Sequence, residues 1–206
     1  MKMNLQNRNV CVLLFAVSMI ITASTAAAGT GISIPNDRNP SVNSSLNPRV
    51  NSTLNPRVNS SLNPRVNSSL NPRVNSSLNP RVNSGLNPRV NSSVNYRVNS
   101  TINPRVNSAI NPNVNSAVNP QITRSFPGLY MFDLGLSLDG FAIPSSDETL
   151  SLFDASNSFI GTAVKSSERS YAIFNLDNDY VGYLVHANGR SWLIFNADGE
   201  WTGITT

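Results

Sequence analysis

Chemistry has few places to start in this chain. One cysteine, Cys11, and one histidine, His186, are too few for a thiolate metal cluster, a multi-histidine zinc site or a disulfide framework, and they leave a histidine-based triad without support. Carboxylates are better placed. Asp177 and Asp179 lie in Asn175-Leu176-Asp177-Asn178-Asp179, and Asp198 and Glu200 in Asn196-Ala197-Asp198-Gly199-Glu200. Such groups could act as acid and base in glycoside hydrolysis or supply oxygens to calcium. Nothing in the spacing fixes a carboxylate separation, however, and the glycine and terminal glutamate of a calcium loop are missing. Ordinary turn chemistry accounts for these residues, so no catalytic residue, cofactor or metal is expected. His186, beside Ala187-Asn188-Gly189, reads as a solvated loop histidine.

Two other sets of residues could bind rather than react. The rings of Tyr180, Trp192 and Trp201 could hold a sugar or a protein surface. They could equally fill a core, because repeat-equivalent positions elsewhere carry Leu or Phe. Arg49, Arg57, Arg65, Arg73, Arg81, Arg89, Arg97 and Arg105 recur every eight residues and could follow an anionic polymer, such as an envelope polysaccharide or lipid headgroups. The bland alternative is that they keep a low-charge repeat soluble. Nucleic acid is disfavoured, since Tyr96 is the one aromatic residue of the repeat available for stacking.

The elements that carry these residues fall into sharply different segments. Residues 1–28 read as a secretory signal peptide: Lys2 and Arg8, an apolar run from Val10 to Ile21, then Ala26-Ala27-Ala28. Cys11 would leave with it. No later run approaches a membrane span, which implies an exported protein that does not cross the bilayer. A linker, 29–38, leads to ten octads of the form Asn-Pro-Arg-Val-Asn-Ser-Ser-Leu with the start of an eleventh, spanning 39–122.

Each octad is two tetrads of one type, an aliphatic residue followed by Asn and two polar or proline positions. Proline every eighth residue excludes a continuous helix, and Asn-Pro-Arg-Val is a repeated turn candidate. A regular spiral of turns that buries the aliphatic line therefore competes with a disordered or polyproline-like stalk. The stalk is favoured, because one branched aliphatic per tetrad buries little against the ~1–2 kcal/mol per residue that backbone ordering costs. Asn43, Asn51, Asn59, Asn67, Asn75, Asn91 and Asn99 stand in glycosylation sequons, which a turn-forming Asn-Ser repeat produces without any glycan.

A second period follows. Phe132, Phe153, Phe174 and Phe195 are 21 residues apart, as are Gly140, Gly161, Gly182 and Gly203. Each copy reads as a β-hairpin closed by a short turn in which Asn157, Asn178 or Gly199 takes the left-handed position; Leu136 holds that slot in the first copy, whose turn is expected to differ. On the phenylalanine face the glycine is expected opposite Tyr130, Ser151, Ala172 or Leu193. Both faces are apolar, with Val164 and Val185 assigned to the second.

One such hairpin is marginal alone, so the four must pack together. The expected class is all-β: four hairpins in pseudo-fourfold arrangement over 129–206, with Phe and Gly at a shared centre. A small eight-stranded up-and-down barrel is the alternative. Charge divides along the same boundary. Residues 29–124 carry ten arginines against Asp37, a net of +9, whereas 125–206 carry three cations against ten carboxylates, a net of −7.

Four copies of Phe-Asp/Asn, a polar turn, an aromatic residue and Gly, behind a signal peptide and an Asn-Pro-Arg-Val-Asn-Ser-Ser-Leu array, resemble the four-fold beta flower proteins. The resemblance covers 129–206 and extends to the octads. It implies four petal-like hairpins and brings no activity and no catalytic residue. The functional expectation is a secreted, non-enzymatic structural, adhesive or surface-interaction protein. A carbohydrate or envelope-polymer binding module, or an enzyme, are the competing classes.

Overall fold

A computed structural model describes residues 31–206; the signal-peptide reading of 1–28 lies outside the described residues. Eight antiparallel strands form a closed barrel in chain order: β1 (Leu129–Asp133), β2 (Leu138–Pro144), β3 (Thr149–Asp154), β4 (Phe159–Ser167), β5 (Ser170–Asn175), β6 (Tyr180–Asn188), β7 (Ser191–Asn196) and β8 (Trp201–Thr205). β8 returns to pair with β1, so the all-β expectation holds and the sheet closes without an open edge. Strands pair as four 21-residue hairpins, with Phe153 opposite Phe159, Phe174 opposite Tyr180 and Phe195 opposite Trp201, as the periodicity required.

A bulge after each of these pairs changes the faces. The hairpin glycines sit opposite Met131, Leu152, Ile173 and Ile194, one residue away from the expected partners. The same shift places Val164 and Val185 with the phenylalanines. What demands glycine is the junction between hairpins: a Cβ on Gly140, Gly161, Gly182 or Gly203 would lie 2.1–2.3 Å from the carbonyl oxygen of Phe153, Phe174, Phe195 or Phe132. The first turn also departs from expectation, because Leu136 adopts φ +65° beside +65° at Asn157 and +59° at Asn178. Burial of its side chain in the core offsets the ~1–2 kcal/mol that the left-handed conformation costs a branched residue.

The phenylalanines are not at the centre of the barrel. One apolar cluster draws Met131, Ala142, Leu152, Ala163, Ile173, Leu184 and Ile194 from seven different strands, and no repeat residue touches it, so these side chains meet across the lumen. An eight-stranded lumen has room for side chains of this size and little else. The phenylalanine face points outward, and Phe132, Phe141, Phe153, Phe174 and Phe195 are nevertheless at most 2% exposed.

What covers them is the octad repeat, which is folded and not a stalk. In each octad the Asn-Pro-Arg-Val tetrad or its variant forms a turn, closed at Asn47 by Val50 N–H (3.1 Å) and Asn51 N–H (2.7 Å) donating to its carbonyl, and from the second octad onward Ser-Ser-Leu or its variant forms a single 3₁₀ turn, as at Ser52–Leu54. The Asn side chains cap both tetrads: Asn47 Oδ1 accepts from Arg49 N–H at 2.9 Å and Asn51 Oδ1 from Thr53 N–H at 3.1 Å, while Asn51 Nδ2 donates to the Ser45 carbonyl at 2.6 Å. Asparagine thus supplies the hydrogen bonds that neither helix nor sheet provides here. Leucine and proline turn inward and valine and serine outward. Leu54, Leu62, Leu70 and Ile110 pack on the phenylalanine face, whereas Val50 and its equivalents stand 62–71% exposed.

The stalk expectation fails because burial was weighed for the repeat alone. The proline and the leucine of an octad are buried while its valine is exposed, and the barrel supplies the apolar surface that receives them.

Candidate functional site

The repeat forms a belt around the hairpin tips, and its course is fixed by contacts. It begins over the first hairpin, where Ser41 Oγ donates to the Leu136 carbonyl (3.1 Å) and Arg49 to the Leu134 carbonyl (2.6 Å). It then passes the fourth hairpin, where Arg65 and Arg73 meet Glu200 and Asp198, and the third, where Arg89 and Arg97 meet Asp179 (2.5 Å) and Asp177 (2.9 Å). At the second, Asn113 Nδ2 donates to the Asn157 carbonyl (3.2 Å) and Gln121 Nε2 to the Ala155 carbonyl (3.3 Å). Belt and hairpins therefore run in opposite order, and 24 residues of belt, three octads, answer to 21 residues of barrel.

That register exposes a matching of residue types. Arg65 and Arg89 meet Glu200 and Asp179, and the equivalent belt residues Ser41 and Asn113 reach the Leu136 and Asn157 carbonyls, beside Ser137 and Ser158, which hold the places of Glu200 and Asp179 in those hairpins. Arg73 and Arg97 meet Asp198 and Asp177, and the equivalent belt residues Arg49 and Gln121 reach the Leu134 and Ala155 carbonyls, beside Gly135 and Ser156, which hold the places of those aspartates. Where a tip is acidic the belt is cationic, and at the second tip, which carries serines, the belt has lost both arginines. The charge division of the sequence is thus an internal complementarity, though each ion pair is more than half exposed and correspondingly weak.

Packing follows the same rule. Phe141, Thr162, Tyr183 and Ile204 are equivalent on the barrel; Pro72 and Tyr183 line one cavity, and the same 24-to-21 register sets Pro120, Tyr96 and Pro48 against the other three. By that register the small Thr162 answers to the one large belt residue, Tyr96, whose hydroxyl donates to the Leu176 carbonyl at 2.6 Å and whose ring meets Phe159 edge-on at 5.0 Å.

Among the proposed ligand-contact residues, Tyr180 and Trp201 occupy equivalent places on this seam. Trp201 lies under the Arg57 guanidinium, 5.7 Å from its ring centre, with its indole N–H donated to the Gly203 carbonyl (2.8 Å). Tyr180 and Arg81 line one cavity of about 250 Å³. Trp192 is separate from both, packed inside the lumen against Tyr171 (5.1 Å) and His186 (4.8 Å). Of the eight arginines, Arg65, Arg73, Arg89 and Arg97 hold carboxylates and Arg49 a carbonyl, while Arg57, Arg81 and Arg105 make no ion pair among the described residues.

Comparison with family models, curated proteins and solved structures returned no match for the chain. The geometry of the seam must carry the functional argument alone.

Three of its cavities are equivalent. Arg57 and Trp201 line one of about 360 Å³, Arg81 and Tyr180 the second, and Arg105 and Phe159 a third of about 270 Å³. Each combines a guanidinium, an aromatic ring and a belt asparagine, namely Asn63, Asn87 or Asn111. The tyrosines at the seam are held neutral: burial raises the Tyr180 phenol well above its ordinary value and pushes that of Tyr183 up to about 12. Sequence reasoning found the arginines and two of the three aromatic residues. It missed Phe159 and the asparagines, whose role depends on how the 24- and 21-residue periods align. The acidic turn residues Asp198, Asp179 and Asp177 are engaged by Arg73, Arg89 and Arg97.

Proposed function

We propose that this protein is a secreted, non-enzymatic surface-interaction module of the four-fold beta flower type, in which a cationic repeat belts an acidic barrel and the assembled rim engages a polymeric surface. Four equal hairpins closing on one another support the family reading. The observation that carries the functional one is the threefold recurrence of Arg, aromatic and Asn along a single seam. Repeated, shallow, equivalent sites suit a repeating ligand, whose many weak contacts add through effective concentration. The carboxylates that an enzyme would need are occupied by arginines, which favours binding over turnover.

Retention of fluorescently labelled residues 29–206 on intact cell envelopes tests this reading. Saturable retention, competed by the unlabelled chain, is the expected result. A protein that stays in the supernatant with every envelope offered, or that turns over a polymer and loses this on neutralising Asp177, Asp198 or Glu200, overturns it.

A further inference from the structure

From the seam we infer a ligand class: the three equivalent cavities bind acidic sugar units of a polysaccharide, one carboxylate to each of Arg57, Arg81 and Arg105. The inference rests on the surface-interaction reading above and gives it a chemical partner.

The first argument is charge. At the second hairpin tip the belt carries Asn113 and Gln121 where the third and fourth tips meet arginines; at the first tip, which has no acidic turn residue at the equivalent positions, Ser41 replaces one arginine and Arg49 is held by the Leu134 carbonyl. Among the described residues Arg105 has neither kind of partner. It faces the second tip, whose turn residues are Ser156 and Ser158, and it is the one charged residue lining a cavity of about 270 Å³. In the other two cavities Arg65 and Arg89 are paired with Glu200 and Asp179, leaving Arg57 and Arg81 in excess. Each site therefore has one positive charge left over, whatever the charge of the tip beneath it. Internal pairing does not account for that surplus, and an anionic ligand does.

The second argument is the unused hydrogen-bonding capacity. Asn157 and Asn178, at equivalent turn positions, are each 6% exposed and line the Arg105 and Arg81 cavities. Their Nδ2 groups donate to Gln121 Oε1 (3.3 Å) and Asn95 Oδ1 (3.2 Å), but neither Oδ1 has a partner, and the buried Tyr180 hydroxyl has none either. A buried polar atom without a partner is costly, and ligand hydroxyls would satisfy it. In the Arg81 and Arg105 cavities a guanidinium for a carboxylate, an acceptor for a hydroxyl and the ring of Tyr180 or Phe159 for the apolar side of a pyranose together describe a uronic acid; the Arg57 cavity, where Gly199 replaces the asparagine, offers the guanidinium and Trp201. A bare anion would use the guanidinium alone.

The test is calorimetric titration of residues 29–206 with an oligogalacturonate, with its methyl-esterified form and with sodium sulfate. Oligogalacturonate should bind, and esterification should weaken binding at least about tenfold, the loss expected for one charge-assisted contact. R57Q, R81Q and R105Q together should abolish binding, while R124Q, outside the cavities, should leave it within about twofold; equal melting temperatures for the variants show that all are folded. Sulfate that competes as well as the oligosaccharide, or a triple variant that binds undiminished, overturns the inference. Absence of oligogalacturonate binding by a protein that is still retained on envelopes overturns the inference and leaves the surface-interaction reading standing. Failure of both measurements removes the two together.

Discussion

Arg38 and Thr206 close the molecule on itself. The Arg38 guanidinium donates to the Thr206 carbonyl at 2.7 Å, and the Thr206 hydroxyl donates to the Arg38 carbonyl at 2.5 Å. The same guanidinium donates to Phe126 (2.8 Å) and Gly128 (2.5 Å), lies 4.6 Å from the Tyr130 ring centre and is 9% exposed. The start of the belt, its end and the last strand of the barrel thus meet at one buried cation.

Arg38→Ala takes a donor from three carbonyls, of which that of Thr206 keeps the Tyr130 N–H at 3.0 Å, and opens a cavity, so a loss of about 3 kcal/mol is expected. Arg38→Lys recovers little of it, because an ammonium cannot reproduce the planar fork that reaches three carbonyls. Denaturant melts of the two variants check this; a lysine variant as stable as the parent would show that charge alone, without guanidinium geometry, holds the junction.

The belt is held by its leucines and not by its ion pairs. Asp198→Asn breaks a pair whose side chains are 61% and 74% exposed, and its cost should stay within about 1 kcal/mol and vanish in 1 M salt, where the Debye length is about 3 Å. Leu62→Ala removes a buried side chain and should cost about 2–5 kcal/mol at any salt concentration. Chemical denaturation with urea at low and high salt separates the two contributions, and a belt that detaches at high salt would reverse the ranking.

Glycine 182 tests the junction between hairpins. A Cβ there lies 2.3 Å from the Phe195 oxygen and 3.3 Å from Asn196 Cα, both backbone atoms, so Gly182→Ala must open the β6–β7 ladder and should cost about 3 kcal/mol or more. Gly189→Ala is the control. Its site is open and φ is +49°, which limits the cost to about 1 kcal/mol. Similar melting temperatures for the two variants would contradict the close-approach argument.

How far the sequence led can be judged from these same residues. Phe153 opposite Phe159 and a left-handed Asn157 were legible, since local periodicity and turn chemistry determine them. The partner of Gly161 was not, because a bulge shifts register by one residue and leaves no mark in the hydrophobic pattern. Leu54 shows the larger gap. Its burial depends on a surface contributed by residues far along the chain, and a per-segment estimate of buried area omits that surface. The charge split and the odd Tyr96 were both visible as composition, but their meaning required the 24-to-21 register.

Alkaline pH should unfold the seam. Burial raises the phenols of Tyr180 and Tyr183, the latter to about 12, above the value of about 10 in an unfolded chain. A folded-state value raised in this way means that the contribution is complete below pH 10 and is lost as pH climbs toward 12, because the unfolded chain releases the proton first. Tyr183→Phe removes one such group and should flatten the fall of unfolding free energy between pH 10 and 12. Identical alkaline profiles for variant and parent would mean that Tyr183 ionises freely in the folded protein.

The exchange of bulk between belt and barrel makes the sharpest prediction. Tyr96→Pro should cost about 2–4 kcal/mol, since it removes a buried ring, its edge contact with Phe159 and its bond to the Leu176 carbonyl. Thr162→Tyr alone should cost about 1–3 kcal/mol by overpacking the place that the 24-to-21 register gives to Tyr96. Together the two substitutions recreate the pairing of Pro72 with Tyr183, which the chain already uses 24 belt residues and 21 barrel residues away. The double variant should then be more stable than either single one, with a coupling of about 2 kcal/mol or more in a double-mutant cycle. Additive costs would show that the ring at position 96 and the side chain at position 162 do not share one space, and the matching of the two repeats would lose its physical basis.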